Sequence, residues 1–144
     1  MFFNINTFKM RHAISYVSTA RRELSSQEVE EILKISEINN NNNNITGLLL
    51  FSEGNFFQVL EGEEHSISDL YEKIKQDKSH HSIIKIFEKP INKESFEEYS
   101  CKFLSSEVGY EGKAIDRYLE NIKSLDNSTQ KAIKNLLGSF IAKN

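Results

Sequence analysis

The chain has 144 residues, a net charge of -3 and one cysteine, Cys101. This length suits a single domain with a real core, while the slightly acidic balance and the lack of a Lys/Arg cluster argue against nucleic acid as a partner. One cysteine excludes an intramolecular disulfide, no Cys/His spacing resembles a metal site, and no run approaches ~18 apolar residues, so we expect a cytoplasmic protein without metal or membrane contact.

The first predicted elements are a strand and an amphipathic helix. Residues 11–19 alternate and are rich in β-formers, which predicts a strand with Tyr16 on the same face as its apolar neighbours. Ser25 and Glu28 have the spacing of a capping box, so a helix should begin there. One face of this helix would carry Val29, Ile32, Leu33, Ser36 and Asn40. Two polar residues therefore end an otherwise apolar stripe.

A hairpin is predicted next. Residues 45–51 and 55–62 are apolar runs joined through Glu53 and Gly54, and glycine supplies the positive φ that a tight turn requires. On the second strand Phe56, Gln58 and Leu60 share a face. Gln58 needs partners there, because a buried amide with both ends unpaired would cost roughly 1–3 kcal/mol.

The second half of the chain predicts a helix, two strands and two further helices. The helix covers about residues 66–77, a strand covers 82–90 and ends at Pro90, and a fifth strand covers 97–104 with Tyr99, Cys101 and Phe103 on one face. Two amphipathic helices follow from about residue 113. Their apolar positions are Ile115, Tyr118, Leu119 and Ile122, and then Ile133, Leu136, Leu137, Phe140 and Ile141.

The order β-α-β-β-α-β-β followed by α-α predicts an α+β fold, a ferredoxin-like sandwich with two appended C-terminal helices. We expect one unit at residues 12–105 and a helical extension at residues 106–144. The apolar stripe of the last helix is too large to leave in water. The extension should therefore pack on the open face of the sheet or form a surface for an oligomer or a partner.

Three polar side chains, Tyr16, Asn40 and Gln58, project from these apolar faces. Together they would line a slot for a flat heteroaromatic ligand, because the ring faces need aliphatic neighbours and the ring edge needs amides. The pattern also fits a glutamine bonded to the backbone, an asparagine cap and a core tyrosine. The rest of the asparagine run at 39–44 is typical of a solvated helix end and loop.

A resemblance bears on this choice. The segment "ITGLLLFSEGNFFQVLEG", preceded by "ISYVSTA" and followed by "IKQDKSHHSI", closely resembles BLUF domains, the flavin-binding blue-light photoreceptors. It covers roughly residues 12–105, and the separations between Tyr16, Asn40 and Gln58 match the family's tyrosine, asparagine and glutamine without an insertion. The resemblance implies a bound flavin, usually FAD in this family, with FMN or riboflavin as alternatives.

The resemblance also implies roles for single residues. Tyr16 would give an electron and a proton to the excited flavin, and Gln58 would be the amide that changes its hydrogen bonds. The implied cofactor-binding residues are Tyr16, Ser36, Asn39, Asn40, Gln58, Lys73 and His80. Light would shift the absorption of an oxidised flavin to the red without turnover. No constellation of nucleophile, base or phosphate loop indicates an enzyme.

Three positions depart from the family pattern. Tyr99 stands where the family usually has a tryptophan, Cys101 where it has a methionine, and Ser79 where a basic residue precedes the histidine. These departures leave Tyr16 and Gln58 unchanged. They alter the fifth strand, so a relay through that strand is an open question.

Output should pass to a separate signalling protein or through a homo-oligomer. The alternative is a light-independent interaction or flavin-binding module that has the same scaffold, and the colour of the purified protein separates the two. An RNA-binding sheet is disfavoured by the net negative charge. An acylphosphatase would need a glycine-rich phosphate loop, which the sequence lacks.

Overall fold

Five strands and four α-helices are present in a computed structural model that describes residues 11–104, 114–138 and 140–141. In chain order the elements are β1 (Arg11–Ala20), α1 (Ser26–Asn42), β2 (Thr46–Ser52), β3 (Asn55–Glu63), α2 (Glu64–Gln76), β4 (His80–Ile91), β5 (Tyr99–Leu104), α3 (Ala114–Asn121) and α4 (Asn127–Leu137). A 3-10 turn at Ile122–Ser124 joins the last two helices. The predicted α+β order is confirmed.

The strands form one mixed sheet in the order β4-β1-β3-β2-β5. The pairs β1-β3, β1-β4 and β2-β3 are antiparallel, which is the ferredoxin-like arrangement, and β5 joins the edge parallel to β2. The register sets Tyr16 opposite Gln58. Because directly opposed residues of an antiparallel pair share a face, both side chains lie on the same side of the sheet.

Helices cover both faces of the sheet. On one face α1 and α2 pack against the sheet around Val29, Leu33, Ile67 and Tyr71, and this side is called the α1/α2 face. On the other, α3, α4, the 3-10 turn between them and a residue just after α4 bury an apolar set against Leu48, Leu50, Phe57 and Val59 of the sheet, and this side is called the α3/α4 face. That set consists of Ile115, Tyr118, Ile122, Ile133, Leu137 and Phe140.

Local signals account for two element boundaries. The Ser25 hydroxyl accepts from the Glu28 N–H at 3.1 Å and the Glu28 carboxylate accepts from the Ser25 N–H at 3.1 Å, so the predicted capping box is confirmed. The hairpin turns through Glu53 and Gly54, whose φ values are 49° and 83°. Such left-handed conformations are cheap for glycine, and they close a two-residue turn that matches the twist of the strands.

Strand β4 extends beyond its predicted end. The sequence predicts an end at Pro90, whereas the strand continues to Ile91 and Pro90 pairs with His12 of β1. Since β4 is an edge strand with one neighbour, the missing proline N–H costs no ladder hydrogen bond on the open side. Likewise α2 begins at Glu64, two residues before the predicted start.

Glu61 is a buried carboxylate on the α3/α4 face. It accepts hydrogen bonds from the N–H groups of Ser95 and Phe96 at 2.7 and 3.1 Å and from the Thr46 hydroxyl at 3.0 Å. Burial raises the pKa of Glu61, and the backbone donors partly offset that rise. The carboxylate thus fastens the loop before β5 to the middle of the sheet.

Gly47 near the start of β2 has φ of 145°, and a Cβ built there would lie 1.9 Å from the Val59 carbonyl oxygen. Only glycine fits this approach of two strands. Among the helices in the described part of the chain, none combines the length and the apolar character needed to cross a membrane.

Candidate functional site

The site is built around the side chain of Gln58 in the middle of β3. The Tyr16 hydroxyl, directly across from it on β1, donates a hydrogen bond to Gln58 Oε1. Both residues are buried on the α1/α2 face. The amide oxygen therefore has a charge-neutral donor aimed at it from the neighbouring strand.

The other end of the same amide reaches Tyr99. Gln58 Nε2 donates to the Tyr99 hydroxyl, although Tyr99 lies on β5, two strands away from β3. The tyrosine ring spans the intervening strand β2, where Leu49 pairs with both Gln58 and Cys101. Gln58 is thus satisfied by two tyrosines, one at each end of its amide.

Two residues of the asparagine run hold Tyr99. Asn40 is buried at the end of α1, and its amide lies close enough to the Tyr99 hydroxyl to lower the pKa of that group. The Asn41 amide donates to the Tyr99 carbonyl at 2.9 Å and accepts from the Tyr99 N–H at 2.9 Å. This pair of bonds imitates a strand neighbour and fixes the first residue of β5 to the end of α1.

Both tyrosines that contact Gln58 are neutral phenols. Burial raises the pKa of Tyr16 far above its ordinary value, and the nearby Tyr71 and Asp77 raise it further. Burial also raises the pKa of Tyr99, against the opposing effect of the Gln58 and Asn40 amides. Each hydroxyl therefore keeps a proton that it can donate.

Cys101 does not have the character of a reactive thiol. Burial raises its pKa to about 12, and Glu37 contributes in the same direction. Its Sγ donates to the Leu33 carbonyl at 3.2 Å. The thiol is therefore a packing group between β5 and α1.

A cleft open to solvent lies beside Gln58, between α1, α2 and the sheet, and its cavity volume is about 100 Å³. Its lining combines aliphatic walls with a polar edge. The lining residues are Tyr16, Ile32, Ser36, Leu49, Phe56, Gln58, Leu70, Ile74, Asp77, Ser79 and His80. This volume is below the range of about 300–1,000 Å³ that is usual for small-molecule sites, so the cleft must widen to admit a ring the size of a flavin.

His80 forms one fixed wall of this cleft. Its Nε2 lies 2.7 Å from the Ile74 carbonyl oxygen and its Nδ1 lies 2.7 Å from the Ser18 hydroxyl. A carbonyl only accepts, so Nε2 carries a hydrogen. The imidazole is held by both nitrogens, and its orientation is set before any ligand enters.

The predicted site residues divide into three groups. The structure places Tyr16, Ser36, Gln58 and His80 in the cleft wall, and it connects Asn40 to Gln58 through the Tyr99 hydroxyl. Asn39 and Lys73 are exposed and do not line the cleft. Each directly precedes an inward-facing helical residue, so it points roughly 100° away around the helix.

Three residues at or beside the site, Asn41, Asp77 and Ser79, are not among the predicted site residues. Asn41 was assigned to a solvated loop because it lies within a run of identical residues. Asp77 and Ser79 form a local turn, in which the Ser79 N–H donates to Asp77 Oδ1 at 2.8 Å. A short polar segment between a helix and a strand is typical of such turns, and that was the available signal.

The donor set fits a flat heteroaromatic ring such as a flavin. An amide nitrogen has two hydrogens, and Tyr99 accepts one from Gln58, which leaves the other for an acceptor in the cleft. The Ile32, Leu49 and Leu70 side chains supply apolar contact for ring faces. One polar edge and aliphatic walls are what such a ring requires.

Comparison with known proteins decides the family. The model of the BLUF family, described as sensors of blue light using FAD, matches residues 12–102. This protein belongs to the BLUF family. BLUF domains bind flavin and act as blue-light sensors, so the resemblance drawn from the sequence is confirmed, and with it the ferredoxin-like fold.

The curated relatives that this chain matches are much longer than the chain itself. The photoactivated adenylate cyclase subunit alpha of Euglena gracilis is 38% identical over 79 residues, which are 55% of this chain and 8% of that protein. The blue light- and temperature-regulated antirepressor BluF of Escherichia coli is 34% identical over 77 residues, or 54% of this chain and 19% of that one. This chain therefore matches only a small share of these relatives.

Solved BLUF structures cover nearly the whole chain. The photo-activated state of BlsA has a TM-score of 0.64 at 26% identity and covers 94% of this chain and 98% of its own. A bacterial light-regulated adenylyl cyclase has a TM-score of 0.63 at 30% identity, over 92% of this chain and 40% of its own. The likeness to BlsA extends over the length of both chains.

Proposed function

We propose that this BLUF protein binds oxidised FAD in the cleft beside Gln58 and that Tyr16 and Gln58 are its photoactive pair. Ser36, Asn40 and His80 support the cofactor site, with Asn39 and Lys73 as more distant members. The observation that carries the proposal is the hydrogen bond from the Tyr16 hydroxyl to Gln58 Oε1 at the polar edge of the cleft.

A flavin bound in the cleft would supply the absorption of blue light and an excited state able to accept an electron. Tyr16 gives up that electron, and the proton of its hydroxyl leaves along the existing hydrogen bond to Gln58 Oε1. Electron and proton later return to Tyr16, so the protein undergoes no net oxidation. Gln58 is left with its amide ends exchanged, which changes the hydrogen bonds offered to the ring edge and shifts the absorption to the red.

A pair of substitutions tests this assignment. Tyr16→Phe removes the transferable proton and keeps the ring, and Gln58→Leu removes the amide and keeps its bulk. Both variants should bind flavin, release it on denaturation and lack the reversible red shift of the wild type. Tyr71→Phe is the matched control, because the Tyr71 ring contacts Tyr16 at 5.7 Å between centroids without entering the hydrogen-bond chain.

Two outcomes would contradict the proposal. One is a colourless protein that takes up neither FAD, FMN nor riboflavin, which would favour the light-independent module. The other is a normal red shift in Tyr16→Phe or Gln58→Leu.

We also propose that the signal passes through α3 and α4 to a separate signalling protein or to a second copy of the chain in the cytoplasm, without turnover by the chain itself. The names of its relatives, a cyclase subunit and an antirepressor, support an effector as the recipient. Within the chain, the Ser15 hydroxyl donates to the Gln58 carbonyl at 3.2 Å. It also lies 2.9 Å from the Tyr118 hydroxyl of α3.

Gln58 is therefore connected to both layers. Its side chain faces the cleft, while its carbonyl is bonded to Ser15 on the α3/α4 face. Ser15 has one proton and uses it for that carbonyl, so Tyr118 donates to Ser15. Both residues are fully buried, and water does not compete for these bonds.

A further inference from the structure

Tyr99 is the second partner of the amide proposed to switch, and the protein holds it firmly. Its side chain is fully buried, and its hydroxyl accepts from Gln58 Nε2. Asn41 bonds its N–H and its carbonyl, each at 2.9 Å. These bonds fix the Tyr99 backbone at the junction between α1 and β5, and the packing around the fully buried side chain keeps the ring beside Gln58.

A phenol at this position has a property that an indole lacks. A tyrosine hydroxyl both donates and accepts hydrogen bonds, whereas an indole N–H only donates. In the structure Tyr16 donates to Gln58 Oε1 and Tyr99 accepts from Gln58 Nε2. If the amide ends exchange, Tyr99 can donate to the oxygen while Tyr16 accepts from the nitrogen.

We propose that Tyr99 is a positioning residue that hydrogen bonds the Gln58 amide in both of its orientations and thereby slows the return of the illuminated state. The inference rests on the proposed photoactive role of Gln58. During rotation the amide must break its bond to Tyr99, and this bond stabilises both end states but not the path between them. Without the hydroxyl, the barrier to return is lower.

The kinetic test uses the full chain with bound flavin. Tyr99→Phe keeps the ring and removes the hydroxyl, and we expect dark recovery of the red-shifted state to become faster by about threefold to tenfold, the span for one buried neutral hydrogen bond. Tyr71→Phe, which removes a hydroxyl outside the chain of bonds, should recover within about twofold of the wild type. Recovery of Tyr99→Phe at the wild-type rate, or slower, overturns the proposal.

A second variant leaves the hydroxyl in place. Asn41→Ala removes the two bonds that fix the Tyr99 backbone, and because Asn41 is exposed, this change leaves the core intact. Its recovery should also be faster, by less than that of Tyr99→Phe. Wild-type recovery in Asn41→Ala would show that the fixed backbone has no part in the effect.

A measurement in the dark does not depend on the photocycle. In ¹⁵N-labelled protein the Gln58 side-chain NH₂ resonances are assigned by their loss in Gln58→Leu. One of the two protons should move upfield in Tyr99→Phe, and neither should move in Tyr71→Phe. If the wild type shows its red shift but the Gln58 resonances do not move in Tyr99→Phe, the inference about Tyr99 is wrong and the proposed function stands. If the wild type shows no red shift, the proposed function itself is wrong.

Discussion

Removal of one hydroxyl from α3 should uncouple the C-terminal helices from the cleft. Tyr118→Phe deletes the bond of 2.9 Å to Ser15 and leaves Ser15 bonded to the Gln58 carbonyl, so no buried polar atom loses its last partner. The expected loss is therefore that of one neutral hydrogen bond, about 1 kcal/mol, or a Tm lower by about 2–5 °C in a domain of this size.

The complementary substitution costs more. Ser15→Ala leaves the buried Tyr118 hydroxyl without its hydrogen-bond partner, and the unfolding free energy should fall by about 1–3 kcal/mol. The double variant has no unpaired Tyr118 hydroxyl. The sum of the unfolding free energies lost in the two single variants should therefore exceed the loss in the double variant by about 1 kcal/mol. Urea denaturation of the four proteins measures this coupling.

The functional assay is amide hydrogen exchange of α3 in the dark and under blue light. Tyr118→Phe should keep the red shift and lose most of the light-dependent change in exchange. Lys89→Met is the control, because Lys89 Nζ donates to the Asn121 carbonyl and the Ser124 hydroxyl at 2.7 and 2.5 Å and holds the same region without reaching Gln58. The proposed signalling route from Gln58 through Ser15 to Tyr118 would be refuted by two results together. The unfolding free-energy losses of the two single variants would be additive, and Tyr118→Phe would keep the light-dependent change in hydrogen exchange of α3.

Three further predictions concern single positions. Tyr99→Trp should lower the yield of the red-shifted state in flash spectroscopy, because an indole gives up an electron without having to lose a proton; an equal yield contradicts this. The raised pKa of Glu61 means that the folded protein binds more protons than the unfolded one just above pH 4.5, so stability should fall as pH rises through this range. In urea denaturation at a series of pH values, Glu61→Gln should weaken this dependence of the unfolding free energy on pH. An unchanged dependence would mean that another group causes it. Gly47→Ala should cost about 3 kcal/mol or more, since its Cβ would lie 1.9 Å from the Val59 oxygen, whereas Gly54→Ala, with open space around it, should cost about 1 kcal/mol.

Features with a local cause were predictable from the sequence. The capping box and the glycine turn depend on residues within four positions of each other, and both are confirmed. The period of two in each strand predicted that Tyr16 and Gln58 lie on the apolar faces of their strands, and the structure buries both on the α1/α2 face. The family motif then identified which polar side chains on these faces belong to a site.

Features with a long-range cause were not predictable. The contact between Tyr99 and Gln58 depends on β5 joining the sheet beside β2, and nothing in the alternation of β5 specifies its neighbour. The apolar stripes of α3 and α4 predicted that these helices are buried, but they did not specify the surface against which the helices pack. Because Ile122, Ile133 and Leu137 fill the core against the sheet, point substitutions are better tests of output than deletion of these helices.

The identical residues of the asparagine run at 39–44 have different structural roles. Asn40 contacts the Tyr99 hydroxyl, Asn41 holds the Tyr99 backbone, and Asn44 turns the chain into β2 with φ of 58°. If such a run gains or loses one asparagine, the residue type at each position counted from the start of α1 stays the same up to the end of the run. Asparagine would still stand at 40 and 41, and only the turn would lengthen or shorten. Variation in the length of this tract therefore falls on the connection between α1 and β2 and spares the residues that hold Tyr99.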